Sequence, residues 1–318
     1  MTGALGHIGS RLIRELPSAF PDGEIVMIDN LATQRYGSLF SLPPYGKYRF
    51  IEADIMTADL DSILAGADIV IHLAAMTNAS ESFRAKELVE RVNVEGTERV
   101  AGACLNAGSR MIFISTTSVY GKSRGVVDED CFPADLEPQS PYAYSKLKAE
   151  QCLQRIGGEE GLRFVICRFG TVFGVSLGMR FHTAINKFSW QAVMRQPLTV
   201  WRTALNQNRP YLELGDAVRA IQFILKKSLF DSKIYNVLTT HATVRDIIDL
   251  LTSLVPDLSV EYVDSEIMNQ LSYQVSNRRF QAQGFLPQGS LREGIGEIVH
   301  LLQSAYRSDE VASKNFSL

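Results

Sequence analysis

Short apolar runs alternate with longer segments of helical periodicity through the first half of the chain. The apolar runs fall at residues 25–29, 49–53, 68–73, 111–115 and 164–167. Between them, residues 87–107 and 142–156 repeat apolar side chains at helical spacing. Short apolar runs separated by helices are typical of buried parallel strands. The pattern predicts repeated β-α-β units and therefore an α/β fold with a doubly wound parallel sheet.

The regular alternation ends near Phe169. Irregular stretches follow, and they contain three segments of helical periodicity, at residues 216–226, 244–254 and 291–306. We expect the sheet domain to span residues 1–168. A smaller C-terminal lobe that lies over the sheet and returns to it in part should span residues 169–306. Residues 307–318 are polar and aperiodic, which predicts a disordered tail.

A glycine-rich loop, MTGALGHIGS, stands at residues 1–10. Gly3, Gly6 and Gly9 are spaced G-x-x-G-x-x-G and precede a predicted helix at residues 10–16. Such glycines permit a tight turn and close backbone approach, so that amides at a helix N-terminus can meet a diphosphate. The loop therefore predicts a Rossmann-like site for a dinucleotide.

Asp29 supports this interpretation because it ends the next apolar run, roughly 20 residues after the last glycine. A carboxylate there accepts hydrogen bonds from an adenosine ribose and repels the extra phosphate of NADP. We therefore expect NAD as the cofactor. The alternative is that Asp29 is an ordinary turn residue.

A tyrosine and a lysine, Tyr142 and Lys146, stand four residues apart, which on a helix places phenol and ammonium on one face. A cation beside a phenol favours the phenolate, so Tyr142 is a candidate general acid or base for a sugar hydroxyl. Four consecutive hydroxyl residues, 115–118, end an earlier predicted strand, at the edge where such sheets hold ligands. They could also form a solvated loop, but together with the glycine loop and Asp29 they predict one pocket.

Composition excludes several other classes of function. The 318 residues carry 32 Lys and Arg against 35 Asp and Glu, for a net charge of -3, and no basic block suggests nucleic acid as a partner. The four cysteines form no C-x-x-C pair, which predicts a reducing cytoplasm. No apolar run is long enough to span a membrane, and the five histidines lack paired spacing for a metal. We expect a soluble protein without a metal site.

Taken together, these motifs resemble those of the extended short-chain dehydrogenase/reductases, specifically the NAD-dependent epimerase/dehydratase family that acts on nucleotide sugars, of the UDP-glucose 4-epimerase type. The resemblance runs through nearly the whole chain. It includes the glycine loop and the segments at residues 29–31, 54–55, 72–75, 93–97, 116–121, 142–146, 168–174, 209–212 and 216–217.

The resemblance implies roles for individual residues. Thr116, Tyr142 and Lys146 would be catalytic: Thr116 would hydrogen-bond the reacting oxygen, and Tyr142 would move the proton. The implied cofactor-binding residues are Gly3, Gly6, His7, Ile8, Gly9, Asp29, Asn30, Asp54, Ile55, Leu73, Ala74, Ala75, Asn93, Tyr142 and Lys146. The implied or candidate substrate-binding residues are Thr117, Ser118, Thr171, Arg180, Arg202 and Arg209. The family also forms two-fold dimers through a four-helix bundle, although helices 87–107 and 142–156 could instead simply cover the sheet.

Two departures from the family pattern narrow the expected reaction. The 4,6-dehydratases carry an acidic residue within the two positions after the active-site Thr, where this chain has Thr117 and Ser118, so elimination of water is disfavoured. Thr171 stands where Asn is usual, and the late arginine that often binds the second phosphate has no counterpart near residues 268–276. Arg180 or Arg202 could replace it, although either could equally be a solvated charge.

The family's first strand is the third departure, because almost nothing precedes the glycine loop. That strand is central, and without it two neighbours would lack backbone partners, at about 1–3 kcal/mol for each orphaned buried group. We expect the given sequence to begin a few residues late.

Three alternatives compete with an NAD-dependent epimerase. A nucleotide-sugar 4-dehydrogenase or keto-sugar reductase would use the same residues. A serine hydrolase is suggested by the G-x-S-x-G match around Ser176, but Gly170 and Gly174 interrupt the strand that this motif needs. A cofactor-binding regulator would have no need of Thr116, Tyr142 and Lys146 together.

Overall fold

The computed structural model describes residues 1–121, 125–264 and 272–305. Its α-helices are α1 (His7–Ala19), α2 (Leu60–Leu64), α3 (Lys86–Glu90), α4 (Gly96–Ala107), α5 (Pro141–Glu160), α6 (Ala184–Val193), α7 (Leu214–Lys227), α8 (Val244–Leu254), α9 (Arg278–Ala282) and α10 (Leu291–Gln303). Its strands are β1 (Glu24–Asp29), β2 (Lys47–Glu52), β3 (Ile69–His72), β4 (Arg110–Thr116), β5 (Val126–Val127), β6 (Phe164–Phe169), β7 (Thr171–Phe173), β8 (Leu198–Trp201), β9 (Arg209–Glu213), β10 (Ile234–Val237), β11 (Thr240–Ala242), β12 (Val260–Val263) and β13 (Gln274–Val275).

The main sheet is parallel. β1 pairs with β2, and β3, β4, β6 and β10 pair in that order. Thr2 forms parallel bridges to both Ile28 of β1 and His72 of β3, and so connects the two groups of strands. The predicted α/β fold with a doubly wound parallel sheet is confirmed.

The first two residues lie between β1 and β3, where the sequence suggested a missing strand. The Met1 carbonyl accepts from the Ile28 amide at 2.9 Å, and the Thr2 amide donates to the Ile71 carbonyl at 3.1 Å. The Thr2 carbonyl in turn accepts from the Leu73 amide at 3.1 Å. These bonds give β1 and β3 backbone hydrogen-bond partners at the end of the sheet where the glycine loop begins. The expectation that the sequence begins late stays a prediction.

The central strands are apolar on both faces. In β4, Ile112 and Ile114 pack in the core beside α1 and α7, whereas Met111 and Phe113 pack in the core beside α4 and α5. Because successive strand residues point to opposite faces, burial on both faces gives a continuous apolar run rather than an alternating one. This is why the strands could be predicted from sequence.

A separate apolar cluster lies beyond β6. It joins α6, β8, α8 and α10, with Phe188, Ile247 and Ile295 among its buried side chains. The chain then contributes β10 to the main sheet, beside β6. The return to the sheet was predicted; the division into domains at residue 168 stays a prediction.

Some predicted boundaries differ in the structure. The predicted helix at residues 87–107 is α3 and α4 joined by a π-helical turn, Arg91–Glu95. The last helix ends at Gln303, and Tyr306 and the predicted tail at residues 307–318 lie outside the described residues. Across residues 1–121, 125–264 and 272–305, no helix combines the length and apolarity needed to cross a membrane.

A buried ion pair connects α5 to the sheet. The Arg168 guanidinium on β6 donates to the Glu150 carboxylate through Nη2 at 2.6 Å and through Nε at 3.0 Å. Ser115 on β4 also donates to Glu150, and both charged side chains are almost fully buried. The pair fixes the helix that carries Tyr142 against the two central strands.

We predict that Glu150→Gln destabilises the fold by about 3–5 kcal/mol, because it leaves the buried Arg168 charge without its carboxylate. Urea unfolding measures this change. The matched control is Glu90→Gln, which removes the exposed ion pair between Glu90 of α3 and Lys148 of α5 and should cost about 0–1 kcal/mol. Equal losses in the two variants would contradict the prediction.

Candidate active site

The glycine loop is held by close backbone packing. Gly3 has φ of +63°, and a Cβ atom there would lie 2.6 Å from the Ala74 amide nitrogen, so only glycine fits. Gly6 is the N-cap of α1, whose N-terminus has no side-chain cap and no acidic residue in its first turn. The amides and the dipole at this helix end therefore favour an anionic group such as a diphosphate.

The adenosine end of the predicted cofactor site is formed by three polar side chains. The Asp29 carboxylate accepts from the Leu5 and Leu31 amides, each at 3.0 Å, which fixes its orientation beside the loop. Asn30 donates to Asp54 at 3.1 Å, and Asp54 also accepts from the Met56 amide at 2.8 Å. Ile55, between these partners, is buried.

The segment after β3 is fixed by Asn93. The Asn93 side chain accepts from the Met76 amide at 2.8 Å and donates to the Met76 carbonyl at 3.0 Å. It also donates to Ser145 of α5 at 2.9 Å. Asn93 lies in the π-helical turn, a distortion that is frequent at functional sites. These bonds fix Met76, two residues after Ala74, whose backbone packs against Gly3.

Thr116 and Tyr142 meet at the carboxyl edge of the sheet. Thr116 ends β4, and Tyr142 lies in the first turn of α5, whose N-cap is Ser140. The Thr116 oxygen accepts from the Ser118 amide at 3.1 Å, which leaves the proton of the Thr116 hydroxyl free for another acceptor. Burial raises the pKa of Tyr142, whereas the charge of Arg180 and the Thr116 hydrogen bond act in the opposite direction.

Lys146 is buried one turn further along α5. Its ammonium donates to the Ile114 carbonyl at 2.9 Å and lies 4.6 Å from the centre of the Phe113 ring. Burial lowers the pKa of Lys146 to about 7, against the opposing charge of Glu150. The Lys146 charge is thus directed at the backbone of β4, and its role in the reaction stays a prediction.

Thr117 and Ser118 face a residue that sequence reasoning missed. The buried Tyr273 hydroxyl donates to Thr117 at 3.4 Å and is also hydrogen-bonded to Ser118. The charge of Arg209 acts on Tyr273 as well, which brings Arg209 to the same side of the site. Tyr273 lies within residues 268–276, the segment in which the family pattern predicts a phosphate-binding arginine. The aromatic side chain in this segment was the sequence feature that could have indicated its role.

Arg180 and Arg202, the two candidates for the phosphate-binding arginine, lie in different surroundings. Arg180 donates to Thr77 at 2.9 Å and acts electrostatically on Tyr142. Arg202 is exposed, forms an ion pair with Asp264 at 3.4 Å and lies over the Tyr262 ring. Of these two candidates, Arg180 is the one placed beside the predicted catalytic residues. Thr171 begins β7 and pairs in register with Tyr211 of β9.

The hydrolase alternative fails on local geometry. Ser176 follows β7, but the next helix begins only at Ala184, so the strand–turn–helix arrangement of a nucleophile elbow is missing there. The Ser176 hydroxyl donates to the His7 carbonyl at 2.9 Å.

Within the described residues, no group of three His, Cys, Asp or Glu side chains could hold a metal ion.

The glycine loop, Asp29 and the Thr116–Tyr142 pair define a dinucleotide-dependent enzyme of the short-chain dehydrogenase/reductase type. Residues 1–237 match the model of the NAD dependent epimerase/dehydratase family, and the chain belongs to that family. The predicted resemblance, the enzyme class and NAD as cofactor are confirmed.

Individual relatives span almost the whole chain. An uncharacterized UDP-glucose epimerase of Bacillus subtilis is 28% identical over 97% of this chain and 99% of the relative. A mouse dTDP-D-glucose 4,6-dehydratase is 29% identical over 99% of this chain and 91% of the relative. The Bacillus cereus UDP-glucuronic acid 4-epimerase, crystallised with UDP-glucuronic acid and NAD, is 26% identical; the match has a TM-score of 0.87 and covers 96% of this chain and 98% of that chain.

We predict that Asp29→Asn weakens NAD binding by about 10- to 100-fold, because charge-assisted hydrogen bonds to the adenosine ribose are lost. The preference for NAD over NADP should also shrink, since the repelling charge is removed. Calorimetry measures both affinities. Asp22→Asn, at an exposed turn, is the control. Unchanged NAD affinity in Asp29→Asn would show that Asp29 is an ordinary turn residue.

Proposed function

We propose that the protein is an NAD-dependent nucleotide-sugar epimerase that works by hydride transfer through a transient keto-sugar. The observation that carries the proposal is the position of Thr116, at the end of β4, and Tyr142, in the first turn of α5, at the sheet edge where the glycine loop lies. Relatives that are UDP-sugar epimerases support it.

Proton transfer in this proposal belongs to Tyr142. Its phenolate accepts the proton of the sugar hydroxyl, and Thr116, whose oxygen already accepts from Ser118, donates its proton to the reacting oxygens. Bound NAD supplies the acceptor and later the donor of hydride. Lys146, anchored on Ile114, is in our proposal the donor to the nicotinamide ribose. Return of hydride to the opposite face of the keto-sugar inverts the carbon.

The two residues after Thr116 favour epimerisation over dehydration. Elimination of water needs an acid that protonates the leaving hydroxyl, and a carboxylic acid serves this role far better than an alcohol. Thr117 and Ser118 offer only hydroxyls, and both are engaged with Tyr273. We therefore propose that this chain catalyses epimerisation and not the dehydration that its dehydratase relatives are named for. Tyr273, Arg209 and Thr171 are our proposed contacts for the nucleotide sugar.

We predict that Tyr142→Phe lowers kcat about 10³-fold without loss of NAD binding, because the proton acceptor is removed and the ring is kept. UDP-glucose and UDP-glucuronic acid are the first substrates, with the inverted sugar detected by proton NMR. Tyr45→Phe, at an exposed tyrosine, is the matched control.

Three outcomes contradict the proposal. A fully active Tyr142→Phe variant would remove Tyr142 from the reaction. Reduced cofactor that accumulates with one equivalent of keto-sugar would identify a dehydrogenase instead. Loss of water from the sugar would identify a dehydratase.

We further propose a cytoplasmic homodimer formed through the exposed face of α3 and α5. The side chains of Leu88 and Tyr144, 43% and 55% exposed, lie on this face. Large apolar side chains that remain exposed on neighbouring helices favour burial against a second copy. The four unpaired cysteines are compatible with a reducing compartment.

We predict that Leu88→Glu converts the dimer to a monomer, because a carboxylate would be buried in the apolar contact. Sedimentation velocity measures the mass. Val126→Glu, at an exposed valine of β5, should leave the dimer intact. A wild-type protein that sediments as a monomer would contradict this interface.

A further inference from the structure

The segment between β7 and α6, residues 174–183, is fixed onto the glycine loop by three hydrogen bonds. The His7 ring donates through Nε2 to the Gly174 carbonyl at 2.9 Å. The Ser176 hydroxyl donates to the His7 carbonyl, and the Gly178 amide donates to Ser10, both at 2.9 Å. A Cβ atom on Gly178 would lie 2.3 Å from the Leu5 carbonyl oxygen. This close packing leaves the segment little freedom and limits where Arg180, two residues after Gly178, can lie.

Arg180 presents a charge that no carboxylate neutralises in the part of the chain that the structure describes. Its Nη1 donates to Thr77 at 2.9 Å, and its carbonyl accepts from Asn186 at 2.8 Å. Its Nε atom is enclosed and lacks a hydrogen-bond partner among the described residues. An enclosed charge of this kind is costly unless a group nearby takes the opposite sign.

Tyr142 is the neighbour that can become negatively charged, as a phenolate. The Arg180 charge acts on Tyr142, and the Tyr142 phenol acts on Arg180 in return. Arg35, His7 and His182 also interact electrostatically with Arg180 in the described part of the chain, and none of them is a carboxylate. Burial and the charge of Arg180 lower the pKa of His7 to about 3 and that of His182 to about 4, so both rings are neutral near pH 7.

We propose that Arg180 is a positioning residue for the proposed epimerase reaction: its guanidinium, held by Thr77, stabilises the phenolate of Tyr142 and sets the pH above which the enzyme is active. The proposal rests on the proposed function for its kinetic part only. It gives Tyr142 a cation from outside its own helix.

The groups around Tyr142 determine the direction in which its pKa changes when Arg180 is removed. Thr116 ends β4 at the same sheet edge, Lys146 lies one turn further along α5, and Arg180 acts on Tyr142 from the segment before α6. A positive charge favours the phenolate and so lowers the pKa of the phenol. Removing Arg180 therefore raises the pKa of Tyr142. Since the reaction needs the phenolate as proton acceptor, the acid limb of the kcat profile moves to higher pH.

The test compares Arg180→Met with Arg180→Lys. For Arg180→Met we expect the acid limb of kcat to rise by about one pH unit, so that kcat at pH 7 falls about tenfold and recovers in more alkaline buffer. Arg180→Lys keeps the charge and should stay close to the wild type. Arg49→Met, which removes an exposed arginine paired with Glu24, is the control for net charge and should not move the limb.

A second readout does not depend on turnover. Protein labelled with ¹³Cζ-tyrosine is titrated by NMR with and without NAD, and Tyr142→Phe identifies the Tyr142 signal. The Tyr142 pKa should rise in Arg180→Met and be largely restored in Arg180→Lys. Should Arg180→Met fail to fold, Thr77→Val, which removes the bond that holds the guanidinium, should shift the same signal in the same direction by less.

An unchanged Tyr142 pKa in Arg180→Met, or in Thr77→Val where it replaces that variant, would overturn the proposal. A rise in KM without a shift of the limb would also overturn it, because Arg180 would then serve only to bind substrate. If no nucleotide sugar is epimerised, the NMR titration still decides the electrostatic claim, so failure of the proposed function is distinguishable from failure of this one.

Discussion

A buried histidine, His72, connects the sheet to the site. The Thr2 hydroxyl donates to Nδ1 of His72 at 2.6 Å, and Nε2 of His72 lies 3.1 Å from the Thr97 oxygen. Thr97 donates to the Asn93 carbonyl at 2.7 Å, so its oxygen accepts from the ring and Nε2 carries the proton. Burial lowers the pKa of His72 to about 3, which keeps the ring neutral as this chain of bonds requires. Asn93 then positions the backbone of Met76.

Buried charge is distributed unevenly around this core. Lys146 and Arg168 share one carboxylate, Glu150, and Arg168 takes most of it through its two-nitrogen contact. Arg180 forms no ion pair with a carboxylate among the described residues. A site built in this way carries excess positive charge in a low-dielectric setting, where charge acts strongly. It therefore favours any group that becomes negative there, which is the requirement for removing a proton from an alcohol near neutral pH.

Sequence reasoning predicted those parts of the molecule that depend on local pattern. The parallel strands follow from apolar runs, and the meeting of Thr116 and Tyr142 follows from a strand end and a helix start that share one sheet edge. Tyr273 and Arg180 could not be placed in this way. Their positions depend on irregular segments that pack onto the site from far along the chain, and no periodicity reports such packing. The π-helical turn that carries Asn93 likewise left no mark on the spacing of apolar residues.

The return of the chain to the main sheet has a consequence for the order of folding. β6 ends at Phe169, and the strand that covers its far side, β10, begins only at Ile234. During synthesis on the ribosome, β6 therefore exposes an unpaired edge, with apolar side chains on both faces, until the intervening residues have been made. Exposed edges of this kind are sites of misassociation. The sheet can close only after most of the chain has emerged, so this edge of β6 stays open to misassociation until β10 has been made.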